Sequence, residues 1–176
     1  MIRTKQPADA AVVRQVLTSA FGDEGQVADL VDALDARHDR PAPGLIAEVD
    51  ANPVGYVQLS RGWIDADREL VETLVLSPLG VLPTHQRRGV GRALCAAAVD
   101  QARGLGVAAV FLEGNPAYYG PLGWEPASAH GLVAPSRRIP APGFQVVLLP
   151  SWQSWMTGAV VYNDTFWACD LVGLRL

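Results

Sequence analysis

The segment "PTHQRRGVGRALCAAA", residues 83–98, leads from a proline into an alanine-rich run. Three arginines and two glycines stand close together in it: Arg87, Arg88, Gly89, Gly91 and Arg92. Glycine has no Cβ, so a ligand can approach the backbone closely at these positions. A helix that begins here presents unpaired N–H groups and a partial positive charge, and the arginines add charge-assisted hydrogen bonds. The segment predicts an anion site, and the alternative is a solvent-facing helix start with some positive charge.

Two common phosphate-binding loops do not fit this segment. A P-loop places lysine and then serine or threonine after its last glycine. Here Arg92 and Ala93 follow, and the only lysine of the chain is Lys5. The dinucleotide-binding fingerprint needs a third glycine, where this sequence has Leu94, and it needs the glycines close behind the strand. "PTHQRR" intervenes instead, so a third type of loop is required.

The surroundings of this segment predict a strand, a helix and a second strand parallel to the first. "LVETLVLSPLGVL", residues 70–82, is a long strand pattern that Pro78 and Gly80 interrupt. We expect it to bulge or splay near residues 77–80, because proline donates no ladder hydrogen bond and glycine weakens a strand. The helix should end at "GLG", residues 104–106. The continuous apolar run "VAAVFL" then predicts a strand that is buried on both faces.

Elsewhere the pattern predicts a short first strand, two amphipathic helices and a hairpin. The helices fall on "ADAAVVRQVLTSAF", with Asp9 as candidate N-cap, and on "EGQVADLVDALDAR". "LIAEV" and "VGYVQLS" flank the turn "DANP". "RGWIDADRE", residues 61–69, is predicted to be a loop. A short helix in "PAYYGPLG", a strand at "WEPA" and a last strand at "FQVVLL" follow, so the sheet should be complete before residue 151.

Composition limits the class of protein. The 176 residues fit one domain, and 49% hydrophobic with 18% charged residues is a globular balance. The formal net charge of 14 − 18 = −4 argues against a nucleic-acid partner. There is no apolar run of about 18 residues and no signal-peptide core, so we expect a cytoplasmic protein with no membrane partner. From Cys95 and Cys169 we expect neither a disulfide framework nor a metal cluster.

Two motifs together resemble one enzyme family. "QRRGVG", residues 86–91, resembles the Gln/Arg-x-x-Gly-x-Gly/Ala loop of the GNAT family of N-acetyltransferases. "YYGPLGW", residues 118–124, resembles its aromatic-Tyr-x-x-x-Gly-aromatic segment. The resemblance covers residues 1–150 and leaves residues 151–176 as a C-terminal extension packed on the same domain. It implies a mixed, mostly antiparallel α/β (α+β) sheet of about seven strands, splayed at strands 4 and 5, with helices on both faces.

The same resemblance implies acetyl-CoA as the cofactor, and no metal. Its pyrophosphate would lie on the amides of residues 87–92, and its pantetheine arm would pair with the strand near Leu79 and Val81. The predicted cofactor-binding residues are Leu79, Gly80, Val81, Gln86, Arg87, Arg88, Gly89, Val90, Gly91, Arg92, Asn115 and Tyr118. For Asn115 a helix cap is an equal alternative, and for Tyr118 a place in the core is the preferred one.

Tyr119 aligns with the family tyrosine that protonates the departing thiolate. A tyrosine side chain, with a reference pKa of about 10, is protonated at neutral pH. The alternative is that Tyr119 only packs in the core. Glu72 is the candidate base, acting on an amine through water, although most strand carboxylates simply face solvent. His85 precedes the anion loop and is predicted to be a surface residue, and His38 and His130 have no partner that the sequence reveals.

The tail "SWQSWMTGAVVYNDTFWACD" holds three of the five tryptophans. It either completes the core, as such aromatic residues commonly do, or forms a wall of the acceptor pocket. In the second case Trp152, Tyr162 and Asp164 contact the acceptor, with Asn163 beside them. The predicted function is transfer of an acetyl group to a primary amine of a small molecule or protein, by a monomer or homodimer. A CoA-binding module without transfer, acting as a sensor or interaction protein, is the alternative.

Overall fold

The computed structural model of the chain describes residues 1–37 and 43–174, so His38 lies outside the described residues. The chain forms two compact units, the first made of Met1–Ser60 and Leu76–Ala98 and the second of Arg61–Val75 and Val99–Leu176. Two strands and one helix run through both units.

The first unit contains the N-terminal hairpin. Its elements are β1 (Ile2–Thr4), α1 (Ala10–Phe21), α2 (Gln26–Asp35), β2 (Gly44–Val49), most of β3 (Asn52–Asp65), the end of β4 (Leu70–Val81) and the start of α3 (Val90–Gly104). β1, β2 and β3 pair antiparallel in this order. Asp50 and Ala51 connect β2 to β3 with φ of 50° and 62°, the left-handed backbone of a tight hairpin turn. The predicted hairpin is confirmed.

The helices of this unit pack on both faces of β3. Tyr56 is buried in one cluster with residues of α1 and α2. Its neighbour Gly55 faces Val90 and Leu94 of α3. Successive residues of a strand point to opposite faces of the sheet. Therefore α1 and α2 cover one face of β3, and α3 begins on the other.

The second unit contains the rest of β3, β4 and α3 and the remaining elements. These are β5 (Ala109–Glu113), α4 (Pro116–Tyr119), β6 (Glu125–Pro126), β7 (Leu132–Val133), β8 (Phe144–Leu148), β9 (Gly158–Tyr162) and α5 (Asp164–Ala168). β5 pairs antiparallel with β8, and β8 also pairs with β6. β9 pairs antiparallel with β3 over Gly62–Asp65 and parallel with β7.

β4 and β5 form the predicted parallel pair, connected by α3. Their ladder joins Leu74 to Val110 and Val75 to Phe111. This is a short pairing for a strand of 12 residues, as expected of two strands that splay. The predicted fold class, a mixed and mostly antiparallel sheet with flanking helices, is confirmed. The described residues form nine strands, whereas about seven were expected.

Two expectations about the sheet are wrong, and they have one cause. Residues 61–69 are not all loop, because β3 continues to Asp65. The sheet is not complete before residue 151, because β9 pairs with this extension of β3. A Cβ on Gly62 would lie 3.1 Å from the backbone oxygen of Val161. The glycine in this segment thus allows β9 to approach β3 closely.

Asp9 is not a side-chain N-cap. It ends a short 3-10 helix, Pro7–Asp9, and its carboxylate makes no capping bond to α1. Instead it accepts two hydrogen bonds from the Arg3 guanidinium, at 2.7 and 2.9 Å, and one from the Gln6 N–H. These charge-assisted bonds hold the pKa of Asp9 at about 2. Asp9 therefore fastens the start of α1 to β1.

Candidate active site

The predicted anion loop lies in the first unit, between β4 and α3. After β4 the chain makes a 3-10 turn, Pro83–His85, and a further turn before α3 begins at Val90. The Gln86 side-chain amide donates to the Val81 carbonyl at 3.1 Å and ties the base of the loop to β4. Gln86 therefore belongs to the loop, as sequence analysis proposed. Its side chain stabilises the turn by this hydrogen bond.

The loop contains two residues with a left-handed backbone. Arg87 and Gly89 adopt φ of 59° and 83°, and both are solvent-exposed. Turns in which right- and left-handed residues alternate can direct successive N–H groups toward a bound anion. The Ala93 N–H donates to the Gly89 carbonyl and starts the helical ladder. Residues 90–92 precede this bond and form the first turn of the helix, where N–H groups lack a helical acceptor.

The start of α3 is held against β3 by a glycine that sequence analysis did not single out. A Cβ on Gly55 would lie 3.0 Å from Leu94 Cδ1, 3.1 Å from Val90 Cγ1 and 3.3 Å from the Gly80 carbonyl oxygen. Leu94 is completely buried. Glycine inside a strand pattern signals such a close approach and could have pointed to this position. A larger residue at position 55 would have to push these neighbours back by a few tenths of an ångström, so the glycine lets the helix start lie close to the strand.

The strand residues predicted to meet the pantetheine arm lie at the end of β4. Gly80 packs on α1, where a Cβ would meet Leu17 at 3.0 Å and Ala20 at 3.2 Å. Val81 is buried and Leu79 is half-buried. The carbonyl of Val81 already accepts the Gln86 amide. The assignment of this strand to the arm stays a prediction.

Tyr119 lies in the second unit, at the end of α4. Asn115 caps this helix, because its side chain accepts the Ala117 N–H at 2.9 Å. The ring of Tyr119 meets Tyr118 edge-on at 4.8 Å and Trp124 edge-on at 6.0 Å. Trp124 is buried, whereas Tyr118 is 45% exposed. Placing Tyr118 in the core was therefore wrong, and its role as a cofactor contact stays a prediction.

Glu72 projects from β4 in the second unit and is paired with an arginine that sequence analysis did not consider. Its Oε1 lies 2.8 Å from a guanidinium nitrogen of Arg61 on β3, and both side chains are partly exposed. This ion pair occupies one carboxylate oxygen and orients the other. A positioned carboxylate in reach of solvent can pass a proton through water. The role of Glu72 as base stays a prediction.

The predicted acceptor residues lie in three different surroundings of the second unit. Trp152 donates from its indole to the Met156 carbonyl and meets the His130 ring edge-on at 6.1 Å. Tyr162 is only 4% exposed and packs on Phe166, so its burial favours a core role. Asp164 is exposed at the start of α5. All three assignments stay predictions.

Asn163 of the tail and His130, which lies before the tail, each have a local partner. The Asn163 side chain accepts the Thr165 N–H at 2.9 Å and caps α5. His130, which showed no partner in the sequence, pairs through Nε2 with Glu125 at 2.5 Å.

A half-buried carboxylate that sequence analysis missed stands at the end of β5. Glu113 accepts the N–H of Gly173 at 3.0 Å and faces the hydroxyl of Tyr162. Burial raises the pKa of Glu113, and burial together with the Glu113 carboxylate raises the pKa of Tyr162 well above its ordinary value. Glu113 thus attaches the end of the tail to β5.

The comparisons with known proteins agree with this geometry. A family model described as "Acetyltransferase (GNAT) family" matches residues 11–119, a span that includes the anion loop and reaches Tyr119. This chain belongs to the GNAT acetyltransferase family. The resemblance drawn from its two motifs is confirmed, and with it the class of enzyme, an acyltransferase.

Individual GNAT relatives are similar over most of their length. The uncharacterized N-acetyltransferase YhbS of Escherichia coli K12 is 32% identical over 173 residues, 94% of this chain and 98% of that protein. YjhQ, of the same strain and description, is 32% identical over 128 residues, 72% of this chain and 71% of that protein. These relatives carry the family name but no stated acceptor.

Two solved GNAT structures contain the cofactor. The E. coli YhbS structure in complex with CoA has a TM-score of 0.82 at 29% identity, covering 94% of this chain and 91% of that one. A GNAT acetyltransferase from Brucella melitensis in complex with acetyl-CoA has a TM-score of 0.74 at 27% identity, covering 94% and 97%.

Within residues 1–37 and 43–174, no three His, Cys, Asp or Glu side chains come together as a metal ion would require. Over the same residues, none of the helices has the length and apolar character needed to span a bilayer.

Proposed function

We propose that this GNAT enzyme moves the acetyl group of acetyl-CoA directly to a primary amine of a small molecule or a protein. The observation that carries the proposal is the exposed loop at the start of α3, where Arg87 and Gly89 have left-handed backbones. Pyrophosphate is the anion that suits consecutive amides beside three arginines. The donor is acetyl-CoA, which the Brucella relative holds, as YhbS holds CoA.

In the proposed step the amine nitrogen attacks the thioester carbonyl. A C–N bond forms and the C–S bond breaks, and the sulfur leaves with the electron pair. A cationic acceptor first loses one proton, through water, to the Glu72 carboxylate, so that the amine attacks in its neutral form; the second proton, lost as the amide forms, passes to solvent. The Tyr119 hydroxyl gives a proton to the departing thiolate and regains one from solvent. Holding amine and thioester together supplies much of the rate, because the reaction becomes effectively unimolecular.

The acceptor is proposed to carry positive charge. The chain has a formal charge of −4, and acidic side chains such as Glu72 and Asp164 stand among the predicted site residues. A cationic amine is attracted to such a surface, most strongly at low ionic strength. The cytoplasmic location and the monomeric or dimeric state stay predictions, as does the division at residue 150.

The test is a screen that detects the free thiol of CoA. Acetyl-CoA is mixed with the enzyme and with putrescine, spermidine, lysinamide, tryptamine or a lysine-containing peptide. The matched control for putrescine is 1,4-butanediol, in which hydroxyls replace both amines. We expect thiol release with at least one amine and none with the diol. Tight binding of acetyl-CoA without release for any amine would instead support the binding module.

A further inference from the structure

Gly114, the residue directly after β5, is a glycine against which the Tyr119 ring lies. A Cβ built on Gly114 would lie 2.7 Å from Tyr119 Cδ2 and closer still to Cε2. Carbon atoms at their best separation are about 3.5–4.0 Å apart. The ring therefore occupies the space that any side chain at position 114 would need.

Gly114 itself cannot easily move aside. Its N–H donates to the Gly143 carbonyl at 2.9 Å, and its own carbonyl accepts the Gln145 side-chain amide at 3.1 Å. Gln145 is 1% exposed, so this polar side chain is committed to the interior. The preceding residue, Glu113, is paired with Phe144 in the β5–β8 ladder and bonded to Gly173. The glycine is thus a fixed point of the backbone.

The ring has little freedom to move either. Tyr118 and Trp124 meet it edge-on from two sides, and Trp124 is buried. The backbone of Tyr119 is bonded through its N–H to Asn115 and through its carbonyl to the Trp124 N–H. Contacts to Gly114, Tyr118 and Trp124 together set the direction in which the phenol points.

The geometry points to Gly114 as a positioning residue that seats the Tyr119 ring for proton transfer. This inference rests on the proposed function, in which Tyr119 is the acid. A methyl group at position 114 forces Cδ2 back by about 1 Å to reach normal contact. A misplacement of about 1 Å in a reacting group can cost about 10²-fold in rate. Displacement of the Tyr119 ring should therefore lower kcat and leave the affinity for acetyl-CoA near its normal value.

The experiment compares Gly114→Ala with Gly104→Ala. Gly104 is the last residue of α3, and a Cβ there meets no atom within 4 Å. Both proteins are labelled with 3-fluorotyrosine, which gives one ¹⁹F resonance for each of the four tyrosines. Loss of a resonance in Tyr119→Phe assigns that of Tyr119. We expect G114A to shift this resonance and G104A to leave it in place.

Turnover is then measured with acetyl-CoA and the panel amine that gives the fastest thiol release. We expect G114A to lower kcat about 10²-fold, and the double variant G114A/Y119F to be no slower than Y119F alone. An unmoved resonance in folded G114A overturns the proposal. A rate loss by G114A that adds fully to that of Y119F also overturns it, because Gly114 would then act through another group.

Two further outcomes separate this inference from the proposed function. A shifted resonance with normal turnover shows that Gly114 seats the ring but that Tyr119 is not the acid, which overturns the catalytic role of both. If G114A does not fold, Tyr119→Leu in the same chain makes room for the methyl group. We expect that double variant to fold, and its failure to do so would overturn the seating itself.

Discussion

Gly89 allows the charge of the proposed ligand to be measured apart from the strain of the loop. Three variants, Gly89→Ala, Gly89→Gln and Gly89→Glu, each place a side chain at φ +83°. This left-handed backbone costs a non-glycine residue about 1–2 kcal/mol. A Cβ at this position meets no atom within 4 Å, so crowding adds nothing. All three variants should therefore lose about the same stability, roughly 2–8 °C in Tm.

Affinity for CoA should separate the three variants, because only one of them carries charge. The Gln and Glu side chains have nearly the same shape. A carboxylate about 6 Å from the two charges of a pyrophosphate is repelled by about 1.4 kcal/mol at a dielectric constant of 80, and by more at the protein surface. The Glu variant should thus bind CoA at least about tenfold more weakly than the Gln variant. The Ala and Gln variants differ only through contact with the ligand.

Calorimetry with CoA at low and at high salt provides the measurement. The gap between the Glu and Gln variants should narrow at about 1 M salt, where the Debye length falls to about 3 Å. Matched Tm values confirm that the variants are equally folded. Equal affinities of the Gln and Glu variants at low salt would refute the assignment of the pyrophosphate to this loop.

Three other changes test single side chains. Tyr119→Phe should lower kcat about 10²–10⁴-fold while calorimetry finds unchanged affinity for acetyl-CoA; normal turnover would make Tyr119 a packing residue. Glu113→Gln should gain stability relative to the natural chain as pH rises above about 4.5, because burial raises the folded pKa and each unit of that rise costs the ionised form about 1.4 kcal/mol. Urea unfolding at pH 4 and pH 8 measures this gain, and a difference that does not change with pH would contradict it. Asp9→Asn should lose stability at pH 7, since Arg3 holds the pKa of Asp9 at about 2, below its unfolded value of 3.8; the loss should shrink as pH falls from 4 to 2, and a loss that persists at pH 2 would exclude the ion pair as its source.

Sequence analysis succeeded where the deciding chemistry is local. A loop at Arg87 and Gly89 that leads into a helix was predicted from adjacent glycines and arginines, and the structure has a turn there with two left-handed residues, whereas its role as an anion site stays a prediction. The turn at Asp50 and Ala51 was predicted from residues that tolerate left-handed backbone or end a strand. Both features depend on a few consecutive residues, so the local sequence is enough to predict them.

The parts that escaped prediction depend on partners far away in the chain. Nothing near Gly55 indicates that Leu94 will lie against it, and nothing near Glu72 indicates the pairing with Arg61. The tail was expected to follow a complete sheet, because nothing in its own sequence indicates that it pairs with β3. Such contacts depend on which strand has an edge without a hydrogen-bonded neighbour. This is determined only when the whole sheet is assembled.

The pairing of β9 with β3 has a consequence for how the chain is made. The paired segments, Gly62–Asp65 and Ala159–Tyr162, are separated by about 95 residues. At a synthesis rate of about 5–20 residues per second, the first segment emerges about 5–19 seconds before its partner exists. During that interval one edge of the nascent strand has unsatisfied N–H and C=O groups beside apolar Ile64, which is the surface that other chains join in aggregation. The yield of this protein in a growing cell should therefore depend on how fast translation proceeds between the two segments.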